Sequence, residues 1–263
     1  MRFSISMLCL LLPLSAGAAE GQSASLNPTA MEGGSAGNAG AGFRPDISLI
    51  LSGSAAHLGN DPDLYAIPGF MLGAETGPGT RGLSLGESEL IISANVDDLF
   101  YGQLTAALTP ENEVEVEEAY VQTLGLPHGL NLRAGRFFSA IGYLNSQHPH
   151  AWDFVDPPLA YRALLANQYG DDGVRLSWVA PADLFVELGG EWLRGENDPA
   201  AGAANDGQGA ATLFAHLGGD AGASHAWRAG LSFLRARAAG RESGALDTAP
   251  DVFSGDSRVA IAD

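Results

Sequence analysis

Residues Val114 to Phe138 read VEVEEAYVQTLGLPHGLNLRAGRFF, two segments of alternating apolar and polar character joined by Gly125-Leu126-Pro127-His128-Gly129. Period-two alternation puts successive side chains on opposite faces, and a short link carrying Gly and Pro makes the pair a β-hairpin. The pattern recurs on both sides. Upstream, Leu83 to Val96 sets Leu90, Ile92, Ala94 and Val96 against Glu87, Glu89, Ser93 and Asn95, then turns at Asp97-Asp98-Leu99 into Phe100 to Leu108. Downstream, Gly173 to Val179 sets Val174, Leu176 and Trp178 against Arg175 and Ser177. Ala180 to Asp183 then leads into Leu184 to Arg194, with Glu187 and Glu191 on the polar side. A first strand over Asp46 to His57 and a further pair over Ala210 to Leu217 and Ala226 to Arg237 make the expected fold class all-β.

The N-terminus has Arg2, an apolar run from Phe3 to Leu14 and the small residues Ser15 to Ala19. This is the layout of a secretory signal peptide, here 1–18, and the run falls short of the ~20 residues a membrane-spanning helix needs. Residues 19–43 are rich in Gly, Ala and Ser and form a flexible lead-in, so the β-structure is expected over 44–263. Cys9 is the only cysteine and lies within the signal, which leaves no thiol for a disulfide, a nucleophile or a metal site after cleavage. The formal net charge is -18 and all 13 basic residues are arginine. A nucleic-acid partner is excluded on that balance, because phosphate binding needs a basic face.

After the signal no stretch is apolar enough for a membrane helix, so a membrane form of this chain has to be a closed β-barrel. Its connections support that reading. Short turns at 97–99, 125–129, 180–183 and 218–225 contrast with longer links at 58–82, 138–172, 195–209 and 238–254, as in outer-membrane barrels, while the short link at 109–113 breaks the contrast. A soluble β-sandwich would alternate in the same way. Strands of bilayer-crossing length and the tryptophans near strand ends, Trp178, Trp192 and Trp227, favour the barrel. The chain stops in mid-pattern, so it is expected to be the N-terminal nine to ten strands of a larger transmembrane antiparallel barrel. Lumen-facing positions would then include Glu87, Glu89, Arg133, Arg175, Glu187 and Glu191, with Arg228 beside them.

The stretch from Ala119-Tyr120-Val121 through Gly129-Leu130-Asn131-Leu132-Arg133-Ala134-Gly135-Arg136-Phe137-Phe138-Ser139-Ala140-Ile141-Gly142 resembles the phosphate-selective porin O and P family of outer-membrane proteins. The segment from Tyr143 to Trp178 is similar to porin-like proteins labelled zinc-regulated TonB-dependent receptors. The resemblance implies a trimeric porin of about 16 strands, with the loop after the fifth strand folded into the pore. One feature departs from the phosphate-selective pattern. Anion selection needs ladders of Arg and Lys to replace the hydration shell, yet this chain has no lysine and its polar faces carry more glutamates than arginines. A receptor's plug domain also has no counterpart between the signal and the first strand.

The long link 138–172 carries the chemistry-bearing residues. In the porin reading Asp153, Asp156 and Arg162 set a transverse field at the constriction. His148, His150 and Asp153 offer two imidazoles and a carboxylate to a zinc ion, against the plainer reading of solvated loop histidines. Ser146, His148 and Asp153 imitate a hydrolytic triad only in composition, and no Gly-x-Ser-x-Gly or His-Glu-x-x-His motif occurs, so an enzyme is not expected. The function expected is passive diffusion of small hydrophilic solutes across a Gram-negative outer membrane, without strong anion preference and without a resident cofactor. The chain would reach that membrane through the periplasm, contact lipid and lipopolysaccharide, and form a homotrimer. The competing expectation is a surface receptor or zinc-capture protein acting through loops 58–82 and 138–172.

Overall fold

A computed structural model describes residues 12–13, 44–68, 70, 72, 76–110, 112–200, 207–243 and 251–263. Apart from Leu12 and Pro13, which bridge to Leu49 and Ser48, the signal and lead-in segments lie outside the described residues. The strands are β1 (Asp46–Ile50), β2 (Gly53–Ala56), β3 (Gly82–Leu85), β4 (Ser88–Asn95), β5 (Phe100–Leu108), β6 (Val114–Thr123), β7 (Leu130–Phe138), β8 (Gly170–Val179), β9 (Phe185–Leu193), β10 (Ala210–Asp220), β11 (Ala226–Ser243) and β12 (Asp251–Ala262). One antiparallel sheet runs in the order β1-β4-β5-β6-β7-β8-β9-β10-β11-β12, and β2 pairs with β3. From β4 onward each strand pairs with its neighbour in sequence, the meander expected from short hairpin links. Strands β1 and β12 do not pair with each other, so the sheet is open among the described residues.

Several boundaries differ from the sequence reading. The expected first strand, 46–57, is split into β1 and β2, and its partner 83–96 into β3 and β4. Between the pairs Ile50↔Glu89 and Gly53↔Leu85, two residues face three, Gly86, Glu87 and Ser88. A single extra residue of this kind is a β-bulge, which bends the strand and ends regular pairing. Strand β11 continues past Arg237 to Ser243, with Gly240 (φ 72) as the extra residue at a register shift between Ala239 and Arg241, so the link 238–254 contracts to 244–250. The link after β7 contains a short helix, α1 (Leu159–Leu165), with Pro158 at its N-terminal cap position and Ala166 in the left-handed conformation closing it.

The two faces of the sheet differ in polarity. One face is exposed and apolar: Leu104, Leu132, Val174, Leu176, Leu188, Trp192, Leu213, Leu217, Leu231 and Phe233 are all exposed. The opposite face is buried and polar, with Glu89, Thr105, Glu118, Arg175, Ser177, Glu191, Thr212, His216 and Ser232 inside. The apolar band is bounded on the loop side by exposed ion pairs. Arg136 Nε lies 2.8 Å from Asp172 Oδ1, and Arg194 reaches Asp172 and Glu196. On β11 the outward positions from Trp227 to Phe233 span about 20 Å along the strand.

Candidate functional site: a loop docked on the polar face

Residues 139–169 fold back over the polar face. The anchor at the start of this segment is Glu191 of β9, whose side chain is fully buried. Its carboxylate accepts hydrogen bonds from the Ser139 hydroxyl, from the Ala140 backbone N–H (2.9 Å) and from Thr212 Oγ1 (2.6 Å), and pairs with Arg175 Nε at 2.7 Å. Arg175 Nη2 also donates to the Phe138 carbonyl at 2.6 Å. Further in, Gly142 N–H donates to Ser232 Oγ on β11, and the Asn145 amide ties Ser139 and Tyr169, the two ends of the segment, together. Phe137, Ile141, Leu165, Tyr169, Leu193 and Leu234 form a small apolar cluster beneath these bonds. The loop is thus held at fixed positions rather than draped. Beyond it, Asp198 is paired with Arg241 Nε at 2.7 Å, and burial raises its carboxyl above the ordinary range despite that partner.

The far side of the loop meets β4 and β6 through two histidines. His148 is extended (ψ 150), as a residue before proline tends to be, and Pro149 opens a 3-10 turn over Pro149–Ala151. This geometry stacks the His148 and His150 rings at 5.7 Å, interplanar angle 21°. Three glutamates surround His148: Nδ1 lies 3.3 Å from Glu89 Oε2 and 3.2 Å from Glu117 Oε2, and Nε2 lies 3.1 Å from Glu118 Oε2. His150 Nδ1 sits 2.7 Å from Glu89 Oε1. Burial alone would lower the His148 imidazole, but the facing carboxylates of Glu117, Glu118 and Glu89 push it up to about 10.

Adjacent glutamates can face one histidine because β6 is bulged. Thr105 pairs with Glu118 and Ala106 with Val116, so Glu117 is an extra residue without a cross-strand partner. Such a residue re-aims its side chain, and here Glu117 and Glu118 turn to the same face. Ala107 on β5, fully buried, pairs with Glu89 of β4 and Glu115 of β6. Glu87, delivered by the other bulge, hydrogen-bonds Glu117.

The structure brings His148 and His150 together as the sequence suggested, but the carboxylates they meet come from the sheet, and Asp153 is exposed and outside the cluster. Both nitrogens of His148 face glutamates, while Ser146 is exposed. Asp156 and Arg162 pair with each other, and Arg162 is buried on α1 against Tyr65, its guanidinium 5.8 Å from the ring centre. Of the expected polar-face residues, Glu89, Arg175 and Glu191 are buried in these contacts. Arg133 lies over the Tyr120 ring at 4.0 Å and bonds Gln122, and Glu187 pairs with His216 at 3.0 Å, where Arg228 also contacts the imidazole. Glu117 and Glu118 were missed as a site. The signal available was the doubled glutamate in VEVEEAYV, which breaks the alternation at the bulge.

No family model matches the chain, and no solved structure matches it. An uncharacterized protein of Aquifex aeolicus (strain VF5) is 39% identical over 171 residues, which cover 61% of this chain and 36% of that protein. The chain thus spans about a third of the length of the curated relative it matches.

Proposed function

We propose that the chain builds the wall of an outer-membrane β-barrel through which small hydrophilic solutes diffuse passively, without strong anion preference. The observation that carries this reading is the inverted polarity of the sheet: leucines, valines and tryptophans exposed on one face, and polar and ionisable side chains buried on the other. In water this arrangement loses apolar burial on one side and desolvates charges on the other, whereas a lipid-facing exterior around a polar interior uses both faces. The ~20 Å outward band on β11 approaches the ~25 Å of such barrels. In this reading the loop 139–169, anchored on the polar face, is the constriction loop, and its anchors set the width of the passage.

The charges inside argue against an anion filter. Glu87, Glu89, Glu117, Glu118, Glu187 and Glu191 outnumber Arg133, Arg175 and Arg228 on that face, and a selective anion path needs cations free to replace water around the ion. The resemblance to porins O and P, carried by the β6–β7 hairpin, supports the architecture and the outer-membrane location. The trimer follows from the same resemblance, and contact with lipid and lipopolysaccharide follows from the proposed location. Planar-bilayer recording of the protein in its full length tests the reading. Ohmic channels with a reversal potential near zero in a salt gradient are expected, and no channels, or strong anion selectivity, would overturn it.

A further inference from the structure

Three ligand-type atoms on the inner wall point at one another without satisfying one another. Glu89 Oε2, Glu117 Oε2 and His148 Nδ1 are each buried and lack a partner in hydrogen-bonding geometry, although they lie within 4.8 Å of one another. The Glu89 side chain is fully buried. In the metal-free protein these atoms meet only as ion pairs at 3.2–3.3 Å, and two carboxylate oxygens and an imidazole nitrogen buried without an aligned hydrogen-bond partner are costly. A single proton on Nδ1 can align with one oxygen only. A metal ion serves all three at once.

We propose that Glu89, Glu117 and His148 form a binding site for a zinc-class divalent cation that clamps the loop 139–169 to β4 and β6. Distances fit this assignment. A tetrahedral ion with bonds of about 2.0–2.1 Å holds its ligand atoms about 3.3 Å apart. The His148 Nδ1 contacts to Glu89 Oε2 and Glu117 Oε2 are 3.3 and 3.2 Å. Chemistry fits as well: one imidazole and two carboxylates match a borderline ion, and their two negative charges neutralise it in a buried place. The surrounding shell is the kind that orients metal ligands. Glu118 Oε2 holds His148 Nε2 at 3.1 Å and so presents Nδ1 to the ion, while His150 Nδ1 holds the other oxygen of Glu89 at 2.7 Å. Three protein ligands leave a fourth position for water. The ligand set replaces the exposed Asp153 with carboxylates from the wall, and the site does not depend on whether the barrel conducts.

The test is titration of chelator-treated full-length protein in detergent micelles with zinc chloride alone, followed by calorimetry and by zinc X-ray absorption. One zinc per chain is expected, with a single imidazole and oxygen ligands at about 2.0–2.1 Å. Glu117→Gln, which keeps the side-chain volume, and His148→Ala should each weaken binding by more than about 100-fold, and Glu118→Gln by about 10–100-fold. His57→Ala, at an exposed histidine outside the cluster, should leave it unchanged. Hydrogen exchange across 143–152 should slow on zinc addition in the parent and not in Glu117→Gln. Absence of stoichiometric binding, two or more imidazoles on the metal, or binding that survives Glu117→Gln would each overturn the proposal. Channel recordings play no part in these readouts, so this site and the porin reading fail separately.

Discussion

Glu191→Ala removes the group that pins the loop 139–169 to the sheet, and its cost can be worked from the contacts. Arg175 would keep its bond to the Phe138 carbonyl but lose the carboxylate 2.7 Å from Nε, leaving a buried cation without a counter-charge. Breaking a buried pair from one side costs about 3–5 kcal/mol. The Ser139 hydroxyl, the Ala140 N–H and the Thr212 hydroxyl also lose their acceptor, each at about 1 kcal/mol where water does not replace it. The expected destabilisation is therefore about 4 kcal/mol or more. Glu191→Gln retains an acceptor oxygen and should cost about 2 kcal/mol. The double change Arg175→Met with Glu191→Leu removes the unpaired charge and should recover about 2 kcal/mol relative to Glu191→Ala. Equilibrium urea unfolding in micelles, read by tryptophan fluorescence, measures all three, and hydrogen exchange at 139–142 locates the effect. A loss below ~1 kcal/mol in Glu191→Ala, or a double variant less stable than the single one, would refute the assignment of this carboxylate as the anchor.

Other expectations follow from different parts of the structure. Leu213→Arg, on the exposed apolar face, should cost about 2–4 kcal/mol in lipid vesicles, against ~0.5 kcal/mol or less for an ordinary water-facing position, and folding yield into vesicles reads the difference. Gly135→Ala should destabilise by about 2–4 kcal/mol in the same unfolding assay, because Gly135 has φ 131 and an added Cβ would lie 2.2 Å from the Ala119 carbonyl oxygen. In metal-free protein His148 titrates at about 10, above the ordinary 6.5, so its ion pairs stabilise the docked loop fully below the ordinary value. That stabilisation should be lost as the pH rises through about 10, seen as faster hydrogen exchange in 143–152 after correction for the intrinsic rate. Protection unchanged above that pH would count against it.

Much of the sheet was legible in the sequence because alternation with period two fixes both strand identity and facing. That Leu176 and Arg175 lie on opposite faces needs nothing beyond parity. What parity cannot supply is the position of an extra residue. Glu87 and Glu89 are odd-numbered partners in a simple reading, and Glu117 and Glu118 should face opposite ways. Bulges at 86–88 and at Glu117 change the phase locally and gather these side chains. Nor does a loop's sequence say where it lands. Glu191 reads as a lumen carboxylate, yet its role is set by Ser139 and Ala140, which lie about 50 residues away in sequence. His150 likewise meets Glu89 across 61 residues, a contact set by the docked loop and not by any local pattern.

The central claim is that the apolar face of the sheet lies against lipid and the polar face does not. Cys9 is the only cysteine in this sequence and falls within the expected signal peptide, so a cysteine introduced within residues 44–263 is the only one in that stretch. Leu213→Cys and Leu231→Cys on the apolar face, with Thr212→Cys and Ser232→Cys on the polar face, would each carry an environment-sensitive fluorophore in vesicles containing brominated lipid. Strong quenching at 213 and 231 with little at 212 and 232 is the result the account predicts. Equal quenching on both faces, or none at 213 and 231, would contradict it.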